Sequence, residues 1–307
     1  MAGGLLQLVA YGAQDVYLTS NPQITFFKVV YRRHTNFSIE SIKQTFNGTA
    51  DFGQEISVTV QRNADLIHKI YFQTDIPSVD VSSGIAARDT THRAFRWLNW
   101  LGHILLKNVT LTIGGHKIDK HYGEWLHLWN ELSCPEGKKE AYAEMVGNVP
   151  RLTQVYSTNS SETCTVNSHT LYIPLQFWFC RNPGLALPLI ALQYHDININ
   201  VELASINECI WATQQTGAGT YTSMLHGSSA LGTQSLALSS TNLYIDYIYL
   251  DTDERRRFAK TAHEYLIETL QYNGGETVNS TSVQVKLNFT HPVKELVWLV
   301  QPTNFKK

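Results

Sequence analysis

The feature that most constrains this chain is the recurrence of short, alternating runs rich in β-branched and aromatic residues. They are ISVTV (residues 56–60), VTLTI (109–113), LYIPLQFWF (171–179), ININVEL (197–203), LYIDYIYL (243–250), VQVKLNF (283–289) and ELVWLV (295–300). Alternation with period two buries one face of an antiparallel strand and leaves the other for solvent. Many such strands with turn residues between them predict an all-β sandwich or barrel. Between VTLTI and HKI, Gly114 and Gly115 supply the positive φ of a two-residue hairpin turn.

Helical patterning is sparse. In GEWLHLWNEL, Trp125, Leu128, Trp129 and Leu132 fall at i, i+3, i+4 and i+7, which predicts one apolar stripe packed on the sheets. In DTDERRRFAK, Asp251 and Glu254 have capping-box spacing and the acids precede the bases, which predicts a short connector helix. Residues 155–168 and 213–240, rich in Ser, Thr and Gly, read as loops, the second a long surface excursion.

An internal repeat adds a second constraint. TFNG (residues 45–48) precedes ISVTVQRNADLIHKIYF, and QYNG (271–274) precedes VQVKLNFTHPVKELVWL. With one inserted residue, Phe46 aligns with Tyr272, Asn47 and Gly48 with Asn273 and Gly274, and Val58 with Val285. Leu66, Ile70, Tyr71 and Phe72 then align with Val293, Val297, Trp298 and Leu299. Two generic hairpins would give a similar match. As a true repeat, the period is roughly 227 residues, and a complete second copy calls for a chain of roughly 480.

The opening MAGGLLQLVAYGAQD has no Lys or Arg before Lys28, and Gln7 breaks its apolar run. It lacks the parts of a secretory leader and is expected to stay on the mature protein as an apolar arm. The charged fraction of 16%, beside 11% aromatics, points to much surface that is meant to be covered. A formal net charge of -2 argues against general nucleic-acid binding, which needs clustered excess Lys and Arg. No run approaches the roughly 18 to 20 apolar residues of a spanning helix.

Few residues suggest chemistry. His116, His121, Glu124 and His127 lie in HKIDKHYGEWLH, where Glu124 and His127 sit one helical turn apart and could share a metal. The spacing is neither HExxH nor HxH, so a polar helix face beside the Trp stripe is the favoured reading. Asp251 and Asp253 fall in the helix cap. ERRRF (254–258) and YRR (31–33) read as solvated faces or inter-subunit ion pairs rather than anion sites. Cys134, Cys164, Cys180 and Cys209 form no CxxC pair and are expected to be free thiols. No catalytic residue, metal site or cofactor is expected. Asn36, Asn47, Asn108, Asn159, Asn279 and Asn288 begin N-x-Ser/Thr triplets and are candidate glycosylation sites, by a cytoplasmic route since no leader is seen.

The blocks GGLLQLVAYGAQDVYLTSNPQITFFKVVYRRHTNF, GGHKIDKHYGEW, YIPLQFWFCRNPGLALPLIALQYHDI and DTDERRRFAKTAHEYLIETLQYNGGE closely resemble the major capsid proteins of nucleocytoplasmic large DNA viruses. This is the mimivirus-, phycodnavirus- and iridovirus-like group. The resemblance implies an all-β double jelly roll, two tandem eight-stranded antiparallel sandwiches, with the second incomplete in this chain. It implies an N-terminal arm (1–24), a first jelly roll (25–251), a connector helix (252–262) and the truncated start of a second jelly roll (263–307). A half-built sandwich is expected to expose its apolar inner face.

The implied function is structural and not enzymatic: homotrimers form pseudo-hexagonal capsomers that tile an icosahedral shell in the virion, assembled in the host cytoplasm. The implied partners are the chain itself, minor capsid proteins and internal membrane proteins, with no direct nucleic-acid contact. Inner-face assembly contacts are expected from Leu5, Leu6, Leu8, Val9, Tyr11 and Tyr17, and trimer or exterior contacts from the long loops. Three other readings are a shortened paralogue acting as a minor or vertex component, a metal-dependent enzyme of cupin type, and a jelly-roll carbohydrate-binding module using Trp97, Trp100, Trp125 and Trp129. The apolar spacing of those Trp residues favours core over groove.

Overall fold

The computed structural model describes residues 3–10, 12, 13, 16, 20, 27, 35–81, 92–158, 165–217, 220–223, 236–278 and 282–302. The chain divides into two units, Met1–Asn36 and Phe37–Lys307. The first carries helix α1 (Gly3–Val9).

The second unit is built on antiparallel strands. They are β1 (Phe37–Thr45), β2 (Glu55–Thr59), β3 (Leu66–Ile76), β4 (Val79–Asp80), β5 (Arg93–Trp97), β6 (Leu106–Ile113), β7 (His116–Tyr122), β8 (Tyr156–Ser157), β9 (Thr165–Val166), β10 (His169–Pro174), β11 (Leu187–Pro188), β12 (Ile197–Leu203), β13 (Ile210–Gly217), β14 (Thr220–Ser223) and β15 (Ser239–Leu250). Between them run helices α2 (Leu101–Leu105), α3 (Gly123–Ser133), α4 (Glu136–Val146), α5 (Pro150–Thr153), α6 (Trp178–Arg181) and α7 (Ile206–Cys209), and α8 (Thr252–Lys260) follows β15.

Two sheets make the sandwich, one ordered β1-β15-β3-β10 and the other β2-β12-β6-β7. Strands pair from the outside inward, β1 with β15, β2 with β12, β3 with β10 and β6 with β7. A single long antiparallel ribbon rolled on itself gives this order, which is that of a jelly roll. Alternation does the packing: β12 is buried at every second residue, and β3 alternates along most of its length. Ile70, Phe72, Ile173, Ile245 and Tyr247 from one sheet meet Ile56, Val58, Leu111, Ile199 and Val201 from the other in one continuous core. The β6–β7 turn has φ 58° at Gly114 and 82° at Gly115, both in the left-handed region. A Cβ on Gly114 would also lie 2.6 Å from His195 Nδ1.

Four expectations change. LYIPLQFWF is strand only as far as Pro174, which has no N–H to extend the ladder, and Trp178–Arg181 then turns helical with Phe177, Trp178 and Phe179 buried. The α3 stripe is rotated: Gly123, Leu126 and Asn130 are buried, Trp125, Leu128 and Trp129 are half-buried, and Leu132 is exposed. The cause is Gly123, whose backbone presses on α2 so closely that a Cβ there would meet His103 O at 2.0 Å. The supposed loops 155–168 and 213–240 contain β8, β9, β14, most of β13 and the first residues of β15.

The last two predicted strands, VQVKLNF and ELVWLV, form no ladder, and among the described residues none after Lys260 is in a strand. The ladder that β12 gives to β2, and that β15 and β10 give to β3, has no counterpart there.

Candidate assembly surfaces

Strands β5, β8, β13 and β14 form a further sheet, ordered β14-β13-β5-β8, outside the two sandwich sheets. Each enters in a connection between jelly-roll strands, so the long connections are built rather than slack. Along this sheet β14 is exposed throughout, Trp211 and Tyr221 are exposed, and the Arg96 guanidinium lies 5.8 Å from the Trp211 ring centroid. Residues 224–235, part of the excursion expected to make exterior or trimer contacts, lie outside the described residues.

In the arm, Leu6, Leu8 and Val9 of α1 are exposed, as is Val16. The side chains of Leu5, Tyr11 and Tyr17 lie outside the described residues. A short helix with apolar side chains in water has little to hold it by itself, so burial of this face is available to a partner.

The most constructed region is the junction after the sandwich. Asp251 caps α8, its side chain accepting from Thr252 N at 2.7 Å. Asp65, nearly buried, accepts Leu250 N at 3.0 Å and sits 3.0 Å from Arg255 Nε, tying α8 to the start of β3. Asp119 of β7, fully buried, accepts Leu270 N at 3.1 Å, so a strand of the sandwich grips the segment beyond the connector. Around it, Arg181 lies 4.2 Å over the Trp129 ring and 3.5 Å from Glu268, Lys294 reaches the same carboxylate, and Tyr122 packs on Tyr272. Burial pulls the Arg181 pKa down, while Lys294 holds Glu268 below the usual carboxylate range. Sequence reading missed Asp65 and passed Asp119 over for its histidine neighbours; an acid inside an apolar alternating run was the available signal.

Past this anchor, Val285, Val293, Leu296, Trp298, Leu299 and Val300 are exposed. Gly48 and Gly274, at matching places in the two aligned segments, have φ of 95° and 91°.

The metal candidates are not brought together. His121 is buried with Nε2 2.9 Å from Asp119 Oδ2, without hydrogen-bond alignment, while His116 and Glu124 are exposed. His127 packs on Trp100 and His103. His103 donates or accepts at Tyr142 Oη over 2.8 Å, and burial, with repulsion from His127, lowers its pKa to about 3, so it is neutral. No group of three or more His, Cys, Asp or Glu suited to a metal occurs among the described residues. Cys180 and Cys209 are buried and in no disulfide, and burial pushes the Cys180 thiol up to about 12. The four Trp residues form no shared groove: Trp97 is fully buried against Phe52 and Phe95, Trp125 packs on Trp129, and Trp100 stacks on His103.

Of the glycosylation candidates, Asn36, Asn47 and Asn288 are exposed. Asn108 is only 9% exposed and its amide donates to Glu202, which removes it as an acceptor. Asn159 and Asn279 lie outside the described residues.

Comparison with known proteins gives consistent matches. A family described as "Major capsid protein N-terminus" matches residues 25–251, and one described as "Large eukaryotic DNA virus major capsid protein" matches residues 254–307. The major capsid protein of Phaeocystis pouchetii virus is 50% identical over 98% of this chain and 59% of its own length. That of Paramecium bursaria Chlorella virus 1 is 44% identical over 97% of this chain and 60% of its own length. In the PBCV-1 virus capsid, a solved chain superimposes with a TM-score of 0.65 at 36% identity, covering 87% of this chain and 57% of that one. The chain thus spans about three fifths of the length of these relatives.

Proposed function

Because this chain belongs to the major capsid protein family of large eukaryotic DNA viruses, we propose that it is a structural, non-enzymatic subunit of a viral capsid shell, located in the virion. The observation that carries this reading is the jelly-roll strand order of the two sandwich sheets, in a chain that both capsid families match end to end from residue 25. Two sandwiches per chain at a local pseudo-sixfold relation let a trimer present six similar edges. Heterologous contacts between such trimers extend into a sheet of pseudo-hexagonal capsomers.

Building a shell needs repeated, geometrically fixed contacts, not a reaction. Exposed Leu6, Leu8 and Val9 supply apolar area for neighbouring subunits, minor capsid proteins or internal membrane proteins at the inner face. The sheet containing β13 and β14 serves trimer or exterior contacts. A net charge of -2 suits a shell that does not itself condense nucleic acid and that assembles in the host cytoplasm. The domain scheme follows the same reading: arm 1–24, first jelly roll 25–251, connector 252–262, start of the second jelly roll from 263.

The test is to extract the protein from purified virions, measure its mass by light scattering, and count its copies by quantitative peptide mass spectrometry. Trimers present in numbers that cover the whole shell are expected. Absence from the particles, or extraction only as monomers, would overturn the reading; trimers in numbers sufficient for the vertices alone would transfer it to a minor or vertex component.

A further inference from the structure

Asn-Gly pairs occur at residues 47–48 and 273–274, at equivalent places in the two copies. Glycine leaves the peptide nitrogen after an asparagine unshielded by any side chain, so this dipeptide is where main chain most readily attacks a side-chain amide. Gly48 and Gly274 share left-handed φ values of 95° and 91°, and at neither would a Cβ meet an atom within 4 Å. Their surroundings in sequence are also close, Phe-Asn-Gly-Thr and Tyr-Asn-Gly-Gly.

What differs is the grip on the amide. Asn273 Nδ2 donates to Lys286 O at 3.0 Å, and its Oδ1 accepts Asn288 N at 3.3 Å, so both ends of the group are held. Asn47 is exposed, and its backbone bridges Ser57 through bonds of 2.7 and 3.5 Å. Among the described residues its side-chain amide makes no hydrogen bond, and Gly48 N donates to no backbone carbonyl. Asn47 also lines an open cavity of about 280 Å³ with Gln44, Thr45, Val58, Thr59 and Gln61, where water has access.

We infer that Asn47 is a site of spontaneous deamidation and that Asn273 is its protected twin. Gly48 N attacks Asn47 Cγ and forms a C–N bond. The side-chain nitrogen leaves as ammonia, taking the Gly48 amide proton, and a cyclic imide remains. Water opens the imide at either carbonyl, giving aspartate or isoaspartate with no oxidation or reduction. Both products add a negative charge at the end of β1. Isoaspartate also inserts a methylene into the main chain at the residue that bridges Ser57, which loosens the link between β1 and β2. Either product destroys the Asn47–Gly48–Thr49 acceptor, so glycosylation and deamidation at this residue exclude each other. The inference is independent of the capsid reading.

The test is peptide mapping by mass spectrometry, with isoaspartate resolved chromatographically, after incubating the full chain at mildly alkaline pH both folded and in urea. In the folded chain the Asn47 peptide should gain about 1 Da, the difference between amide and acid, at least about tenfold faster than the Asn273 peptide. In urea the two rates should converge to within about threefold, since the clasp on Asn273 is gone. An Asn47→Gln variant should keep its fold and lose the fast site. Equal rates in the folded chain, faster conversion at Asn273, or a tenfold difference that persists in urea would each overturn the inference.

Discussion

Residues 46–72 and 272–299 carry matching letters in different surroundings. In the first copy Val58, Leu66, Ile70 and Phe72 lie within two sheets and are buried, and Phe72 is 0% exposed. In the second, Val285, Val293 and Leu299 face solvent, Leu299 at 60%, and Val297 is half-buried. The glycine conformation survives the change, since φ at Gly48 and Gly274 differs by only a few degrees. Local backbone preference is therefore carried by the sequence segment itself, whereas a strand ladder requires partners that are far away in the chain. For the first copy those partners are β10, β12 and β15, which follow it by about a hundred residues or more.

The sharpest way to break this comparison is paired truncation. Phe72→Ala, which also removes the ring packed on Phe46, should cost about 3–5 kcal/mol in urea unfolding. Leu299→Ala should stay within about 0.5 kcal/mol in the same chain. A comparable loss from both would mean that the second copy is buried in solution.

Acid gives a second contrast. His103 is buried and neutral with a pKa of about 3, against 6.5 for an unperturbed histidine. The unfolded chain binds a proton there below pH 6.5 and the folded chain does not, so this contribution to stability is complete above 6.5 and lost as pH falls toward 3. Between pH 6.5 and 5 the loss should be about 2 kcal/mol. Residues 263–302 place no buried histidine at risk. Denaturant midpoints across this range should fall for the parent chain and fall less for a folded His103→Gln variant; identical slopes would refute the assignment.

The anchor between the regions can be cut separately. Asp119→Ala removes the acceptor for Leu270 N and should cost about 1 kcal/mol. Hydrogen exchange should quicken at Leu270 while the amides of β12 keep their protection. The smallest effect belongs to Lys294→Ala: its pairing with Glu268 is exposed, and loss should be within about 0.5 kcal/mol at moderate salt. A larger loss would show that this pair is shielded by a further surface.

Much of the fold was legible in the letters. ININVEL is β12 as predicted, the Gly114–Gly115 turn holds its two positive φ values, and DTDERRRFAK forms a helix capped by Asp251, which accepts Thr252 N instead of pairing with Glu254 in the expected capping box. Period-two alternation and special-φ glycines report local geometry, which a one-dimensional pattern can encode. The sheet of β5, β8, β13 and β14 was not legible, because its short polar strands, such as TYTS, gain their ladder only when distant insertions meet. The helical turn at Trp178 was hidden for a related reason: an unbroken apolar run is compatible with any buried backbone. Neither was the junction readable, since Asp65 and Asp119 become anchors only when Leu250, Arg255 and Leu270 arrive beside them.

By itself, then, the sequence determined the strand class, the turns and the helix after β15, because each rests on the periodicity or stereochemistry of neighbouring residues. The tertiary structure alone decided which face of α3 is buried, which strands cross-pair into the outlying sheet, and which of two matching segments forms strands. Those outcomes depend on contacts between residues far apart in the chain, where steric fit and the supply of backbone partners outweigh local preference.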